Sequence, residues 1–149
     1  MPVDIIRRSF IALGVTLAVA CAPLPHADLD AKAKTFVPTP DRANVYIYRN
    51  EQLGGLIRMA VTVNGVERGI TRGKTFLLLQ LEPGRYTIQS QGVAQTSLTL
   101  DVAAGRNYYV WQEVKHTFGT FHYRSLLQLV DEKTGQEGVN ECHLTFEVR

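Results

Sequence analysis

The sequence predicts an all-β domain over residues 42–149, an antiparallel β-sandwich of about seven to nine short strands. It follows a signal peptide at residues 1–20 and a flexible tether at residues 21–41. Three observations carry this reading. From Ala43 onward apolar residues alternate with period two, the pattern of a strand buried on one face. Asn-Gly, Pro-Gly and Ala-Gly pairs interrupt that alternation at short intervals, and each supplies a backbone suited to a tight turn. Almost nothing between Ala43 and Val130 has helical spacing.

The elements follow in order. Ala43–Arg49 alternates β-branched and aromatic residues and reads as a strand. After the loop Asn50–Leu56, Met59, Val61 and Val63 alternate with Ala60 and Thr62. Asn64-Gly65 follows between Val63 and Val66, where both residues tolerate the positive φ of a type I′ hairpin turn. Thr75–Leu81 is nearly all apolar and reads as a central strand, with Leu77, Leu79 and Leu81 on one face. Glu82-Pro83-Gly84-Arg85 turns it, with Gly84 at a left-handed position, and Tyr86 and Ile88 return to the core. Leu98, Leu100 and Val102 alternate with Ser97, Thr99 and Asp101, so one face is buried. Ala104-Gly105-Arg106 turns into the strand Asn107–Val114, and Ser125–Val130 forms the next. At the end, Lys133-Thr134-Gly135 reads as a turn, Glu137–Glu141 as a short helix and His143–Val148 as a last strand.

The first twenty residues have the grammar of a secretory signal. Arg7 and Arg8 precede the run Phe10–Ala20, and small residues lead to Cys21. Eleven residues are too few to span a hydrocarbon core, which needs about 20. Leu17-Ala18-Val19-Ala20-Cys21 resembles a bacterial lipobox, although Ala18 stands where leucine is usual. That resemblance implies a diacylglyceryl group on Cys21, cleavage after Ala20 and acylation of the new amine. Ala22 is not an acidic retention residue, so the expected destination is the outer membrane, on its periplasmic face. Arg7-Arg8-Ser9-Phe10-Ile11 is also similar to a twin-arginine signal, but lacks Ser or Thr before the pair and Lys after Phe10 and Ile11. General secretion is favoured, because nothing later in the chain calls for a cofactor loaded before export. Residues 22–41 are bracketed by Ala22-Pro23-Leu24-Pro25 and Val37-Pro38-Thr39-Pro40. The prolines predict extended ends, and Asp28–Lys34 predicts one or two helical turns.

Charge excludes several function classes. Removing Asp4, Arg7 and Arg8 with the signal leaves 14 basic and 13 acidic residues of the original 16 and 14. A surface so balanced has no basic field for nucleic acid and no polybasic patch for anionic lipid. Attachment is therefore expected to rest on the acyl chains, each buried methylene contributing about 0.8 kcal/mol. Cys142 is the only other thiol, so acylation of Cys21 leaves no intramolecular disulfide, and Cys142 is expected buried.

Three stretches together resemble a family of bacterial lipoproteins known only as a domain of unknown function. They are Ala43–Asn50, Leu81–Tyr86 and Ala104–Val110, and Leu129-Val130-Asp131-Glu132 followed by Gly135 is similar as well. The likeness covers about 35–149. It implies a β-sandwich on a lipid anchor in the periplasm, with no catalytic residues to carry over.

Two sets of residues stand out as candidate sites. Lys115–Tyr123 places His116 and His122 beside Phe118, Phe121 and Tyr123 around Gly119, a composition suited to a binding loop on a rigid sandwich. The competing reading is an aromatic lid over the end of the sandwich. Two histidines alone are short of the three or four ligands zinc requires, so no metal is assigned. Tyr109 and Trp111 share one face of their strand, and Tyr108, Val110 and Val114 share the other. Because a sandwich buries one face of each sheet, one set is expected to be exposed and able to bind a protein or stack on a sugar. Its competing reading is packing under the tether or the His116 loop. Cys142 and His143 are neighbours on a strand and point to opposite faces, so they make no catalytic pair. Nucleophile elbow, phosphate loop and zincin motifs are missing from the sequence, and Asp131-Glu132 reads as a solvated turn. The expectation is a non-enzymatic, cofactor-free outer-membrane lipoprotein that binds or scaffolds an envelope protein. The rival readings are a glycan- or peptidoglycan-binding module and an accessory lipoprotein like that of type VI secretion.

Overall fold

One strand, Ala43–Arg49, is buried at all seven positions, and the architecture follows from covering it on both faces. The computed structural model describes residues 26–52, 55–91, 96–116 and 123–146. The expected signal segment, Cys21, Phe118, Phe121, His122 and Val148 lie outside the described residues. In chain order the elements are α1 (His26–Ala33), β1 (Ala43–Arg49), β2 (Met59–Val63), β3 (Val66–Thr71), β4 (Thr75–Leu81) and β5 (Gly84–Ser90). β6 (Thr96–Val102), β7 (Arg106–His116), β8 (Tyr123–Val130), α2 (Glu132–Asn140) and β9 (His143–Leu144) complete the series.

Among the described residues nine strands form two packed sheets, the sandwich that the alternation predicts. One sheet runs β8-β7-β1-β4-β9 and the other β3-β2-β5-β6. The four-stranded sheet is antiparallel throughout. The five-stranded sheet is mixed, because β7 runs parallel to β1 from Ala43↔Arg106 to Tyr48↔Trp111 and β9 runs parallel to β4. Parallel neighbours need a long crossover; the chain between β1 and β7 supplies it by building the whole other sheet and β4. Between the sheets lie Val45, Ile47, Val61, Leu77, Leu79, Ile88 and Val110, all fully buried. Leu77, Leu79 and Leu81 share this face, as their spacing requires.

The hairpin of β2 and β3 closes as expected, with Asn64 at φ 50° and Gly65 at φ 81°. Asn64 also reaches outside its own turn. Its N–H donates to the Thr87 carbonyl and its Oδ1 accepts the Thr87 N–H, both at 2.9 Å. Gly84 takes a positive φ of 156°, which favours glycine, but in place of a tight αL turn it opens β5 by pairing with Val102.

The outer face of the five-stranded sheet carries a second core that period-two reasoning does not foresee. Tyr46, Tyr48, Phe76, Tyr109, Ala33, Val139 and Cys142 are buried there, with Phe36, Leu78, Trp111, Val130 and Leu144 against them. Tyr46 stacks on Tyr109 at 5.2 Å, and Phe36 caps both rings at 5.5 and 6.0 Å. This corrects two expectations. Tyr109, only 2% exposed, is not an open aromatic platform, and its face is covered by Phe36 and α2. Residues 26–41 are not free tether; the Ala33 carbonyl accepts from the Tyr46 hydroxyl at 2.9 Å, and Asp30 accepts the Leu144 N–H at 2.6 Å.

The stretch after β8 needs a third correction. Lys133-Thr134-Gly135 is not a turn but part of the first turns of α2, which runs from Glu132 to Asn140. Asp131 caps it, one carboxylate oxygen accepting the Thr134 N–H at 3.0 Å and the other its hydroxyl at 2.7 Å. These bonds hold the Asp131 carboxyl below its usual pKa, so this is a structural cap and not an idle solvated charge. Gly135 and Gly138 weaken a helix by propensity, about 1 kcal/mol each against alanine. They are explained by packing: a Cβ on Gly135 would overlap the Tyr109 ring, and one on Gly138 the Tyr48 ring.

Two stability measurements check this account. Asn64→Val should cost about 1–2 kcal/mol through positive φ on a β-branched residue, plus the Thr87 bond. Asn64→Gly should recover the φ contribution only: equal melting temperatures for the two variants would contradict the φ cost, and a melting temperature for Asn64→Gly equal to the parent's would contradict the cross-strand role of Asn64. Gly135→Ala and Gly138→Ala should each lower stability by about 1–3 kcal/mol from overpacking, although alanine favours helix. A higher melting temperature for either would mean that α2 does not seat on the tyrosines.

Candidate functional site

His116 ends β7 and pairs with Tyr123, the first residue of β8. The expected binding loop thus falls between the paired ends of β7 and β8, and its members Phe118, Phe121 and His122 lie outside the described residues. Trp111 is half-buried against the second core, and its Nε1 has no hydrogen-bond partner among the described residues. Cys142 is buried and 3.5 Å from the Arg49 carbonyl. Burial pushes its pKa up to about 12, which keeps the thiol neutral and a poor nucleophile. His143 beside it is exposed on β9, so the two do not meet. Among the described residues no three His, Cys, Asp or Glu side chains converge to hold a metal.

The site that the tertiary structure assembles lies elsewhere, along the far edge of β4. β9 covers that edge only at Thr75 and Phe76. The His143 N–H reaches the Lys74 carbonyl at 2.9 Å and the Thr145 N–H reaches the Phe76 carbonyl at 2.8 Å. Alternation along an antiparallel strand then turns the backbone groups of Leu78 and Gln80 to the same open side. No strand lies beyond them among the described residues. β4 is therefore a sheet edge with an unpaired segment at Leu78 and Gln80, the feature by which a sheet recruits another strand.

A groove of about 770 Å³ runs beside this edge, between residues 29–40 and residues 144–146. Leu29, Val37, Leu78 and Phe146 line it, and Val37 and Phe146 are 70% and 72% exposed. Its outer wall is held by an amide ladder. Asn44 donates to the Val37 carbonyl at 3.2 Å and to Asn107 Oδ1 at 3.0 Å, while Asn107 donates to the Phe36 carbonyl at 2.6 Å. Gln80 donates to Thr39 Oγ1 at 2.8 Å from the floor. Positive φ at Phe36, 53°, turns the chain so that its ring enters the second core while Val37 stays outside. At the helix end, Lys34 pairs with Asp30 at 2.7 Å. Burial alone would raise the Asp30 pKa, but the Lys34 bond and the Leu144 N–H hold it below the usual value of 3.8. The groove thus offers apolar side-chain sites beside free backbone donors and acceptors, in a wall fixed by hydrogen bonds.

Comparison with known families places the chain. Residues 39–123, more than half its length, match the model of a protein family of unknown function, DUF2846. The chain belongs to this family. The matched segment holds β1 through β7 and reaches the first residue of β8, whereas α1, α2 and β9 lie outside it. The sandwich core is therefore family territory, and both helices covering the tyrosines come from flanking sequence. No curated protein and no solved structure matches the chain. Membership in DUF2846 names a fold-bearing segment and no activity.

None of the groove residues was singled out by sequence reasoning. Leu78 and Gln80 sit in a strand that reads as central, and nothing local shows that its neighbour stops after two residues. One signal was present: Phe36-Val37, two adjacent large apolar residues inside a proline-rich stretch, is unusual for a solvated tether.

Proposed function

We propose that this chain is a non-enzymatic lipoprotein of the outer membrane, anchored through Cys21, whose sandwich binds an envelope protein as an extended segment along β4. The observation that carries the binding part is the unpaired β4 edge at Leu78 and Gln80 beside an apolar groove. An added strand gains main-chain hydrogen bonds from the edge, and its alternate side chains fill the groove between Val37, Leu29 and Phe146. The anchoring part is supported by the signal grammar and by Cys21. Among the described residues no helix is long and apolar enough to cross a membrane. A glycan-binding module is favoured less, because Tyr109, which would serve as its stacking surface, lies beneath Phe36 and α2.

Substitutions on the edge test the binding part. Gln80→Pro removes an N–H that points away from β1 and places a ring across the edge, which edge strands tolerate. Crosslinking in whole cells with mass spectrometry should lose the partner in Gln80→Pro and in Val37→Glu, and retain it in Gln80→Ala, which keeps the N–H. Melting should shift little, because both side chains are solvent-exposed and the Gln80 variants lose one exposed hydrogen bond, that to Thr39. An unchanged set of crosslinks in all three variants rules out the β4 edge. Retention on peptidoglycan after detergent extraction would point to the glycan reading instead.

Fractionation tests the anchor. Cys21→Ser should yield an uncleaved precursor or a soluble periplasmic protein. Normal processing together with membrane retention after a high-salt wash defeats the lipid reading, and recovery at inner-membrane density defeats the assignment to the outer membrane.

A further inference from the structure

Docking of α1 limits how far the folded body can stand from an acylated Cys21, and the inference drawn from it rests on the proposed acylation of that residue. Sequence alone allows the domain to hang from about twenty residues of tether. With α1 seated from His26 onward, only residues 22–25 separate Cys21 from the folded body. Five residue steps reach about 18 Å at full extension. The end of the sandwich that carries His26 must then stay close to the bilayer surface.

That end has a surface suited to the task. His26 lies 4.7 Å from Phe146, ring to ring. Together with Arg58, Ile70, Arg72 and Thr75 they line a cleft of about 350 Å³. Arg58 and Arg72 are exposed, and neither guanidinium has an acidic partner among the described residues. Neighbouring charges are engaged elsewhere: Lys74 with Glu141 at 2.8 Å, Asp30 with Lys34, and Glu51 with the Val114 N–H at 3.1 Å. Beside the cleft Leu56 is 95% exposed, next to Gly55, whose carbonyl accepts the Gly73 N–H at 3.2 Å. Two uncompensated arginines flanked by an exposed leucine and an exposed phenylalanine match a phosphate layer above acyl chains. The strand directions put the start of β4, the end of β1 and the end of β7 at this same end.

We propose that this cleft receives the phosphate headgroup of an anionic phospholipid in the membrane that holds Cys21. The domain then lies against the bilayer with the Arg58–Arg72 end down. The chain from α1 leads away from that surface, and the β4 groove opens beside it.

The test uses the full acylated chain in nanodiscs of phosphatidylcholine, with or without phosphatidylglycerol. Photoreactive benzoyl-phenylalanine replaces Leu56 or, at the opposite end of the sandwich, Val66, which is also exposed. The reporter at Leu56 should label phospholipid, and more strongly with phosphatidylglycerol present, while the reporter at Val66 should not. An arginine at an anionic surface strengthens attachment about fivefold. Arg58→Glu with Arg72→Glu should therefore abolish the gain from phosphatidylglycerol without changing the melting temperature or the acyl mass on Cys21. Equal labelling from both positions, or a gain that survives the double substitution, overturns this proposal while an acyl mass on Cys21 leaves the anchor standing. Absence of that mass overturns the anchor and this proposal together.

Discussion

Burying both faces of β1 is the constraint on which the rest of the molecule depends. β1 lies between β4 and β7, and its side chains alternate between two cores. Val45 and Ile47 enter the space between the sheets, a solution that any sandwich offers. Tyr46 and Tyr48 project the other way, where a two-layer sandwich would leave them in water. An aromatic ring gains several kcal/mol when removed from water, and so the flanking sequence on both sides is drawn onto this face. Phe36 and Ala33 approach from one side and α2 from the other. Gly135 and Gly138 are the geometric condition for the second approach, since any side chain there would hold α2 off the rings.

The end of the sandwich near Arg49 is organised by polar groups instead. Arg49 is fully buried, its Nη1 donating to the Ile57 carbonyl at 2.8 Å and its Nε 3.7 Å from Glu51. Burial lowers the guanidinium pKa, and Glu51 opposes that shift. Glu51 in turn accepts the Val114 N–H, tying the loop after β1 to β7. Gln112 bridges the two sheets by accepting from Thr71 and donating to Ser90 at 2.5 Å. The Thr71 hydroxyl, whose one proton goes to Gln112, also lies 3.3 Å from the Met59 carbonyl. Buried polar groups stabilise little on balance but cost about 1–3 kcal/mol when left unpaired, so this network disfavours any sheet-to-sheet register other than the native one.

These two features meet in the surfaces proposed for function. Seating α1 on the tyrosine face forms one wall of the β4 groove, and it also shortens the span from Cys21 to the folded body. The two-residue β9 then leaves the rest of the β4 edge open. A longer β9 would have paired Leu78 and Gln80 and closed the edge, so the site depends on where one strand stops.

The sequence by itself determined the strands from β1 to β8, the type I′ turn at Asn64-Gly65 and the side of β4 that enters the core. These are local matters: period-two alternation fixes which side chains share a face, and turn residues fix where the chain reverses. It pointed to a domain of unknown function as well: Ala43–Asn50, Leu81–Tyr86 and Ala104–Val110 lie inside the matched segment, whereas Leu129-Val130-Asp131-Glu132 and Gly135 lie beyond it. Only the tertiary structure decided that Tyr109 is covered, that residues 26–41 belong to the domain and that Gly135 lies in a helix. Each of those depends on what packs above the sheet, and alternation describes a strand's two faces without saying how many layers will cover them. Parallel pairing of β1 with β7, and the open edge of β4, were likewise set by contacts between residues far apart in the chain. Their energy comes from apolar surface and hydrogen bonds shared across elements, which no single stretch of sequence contains.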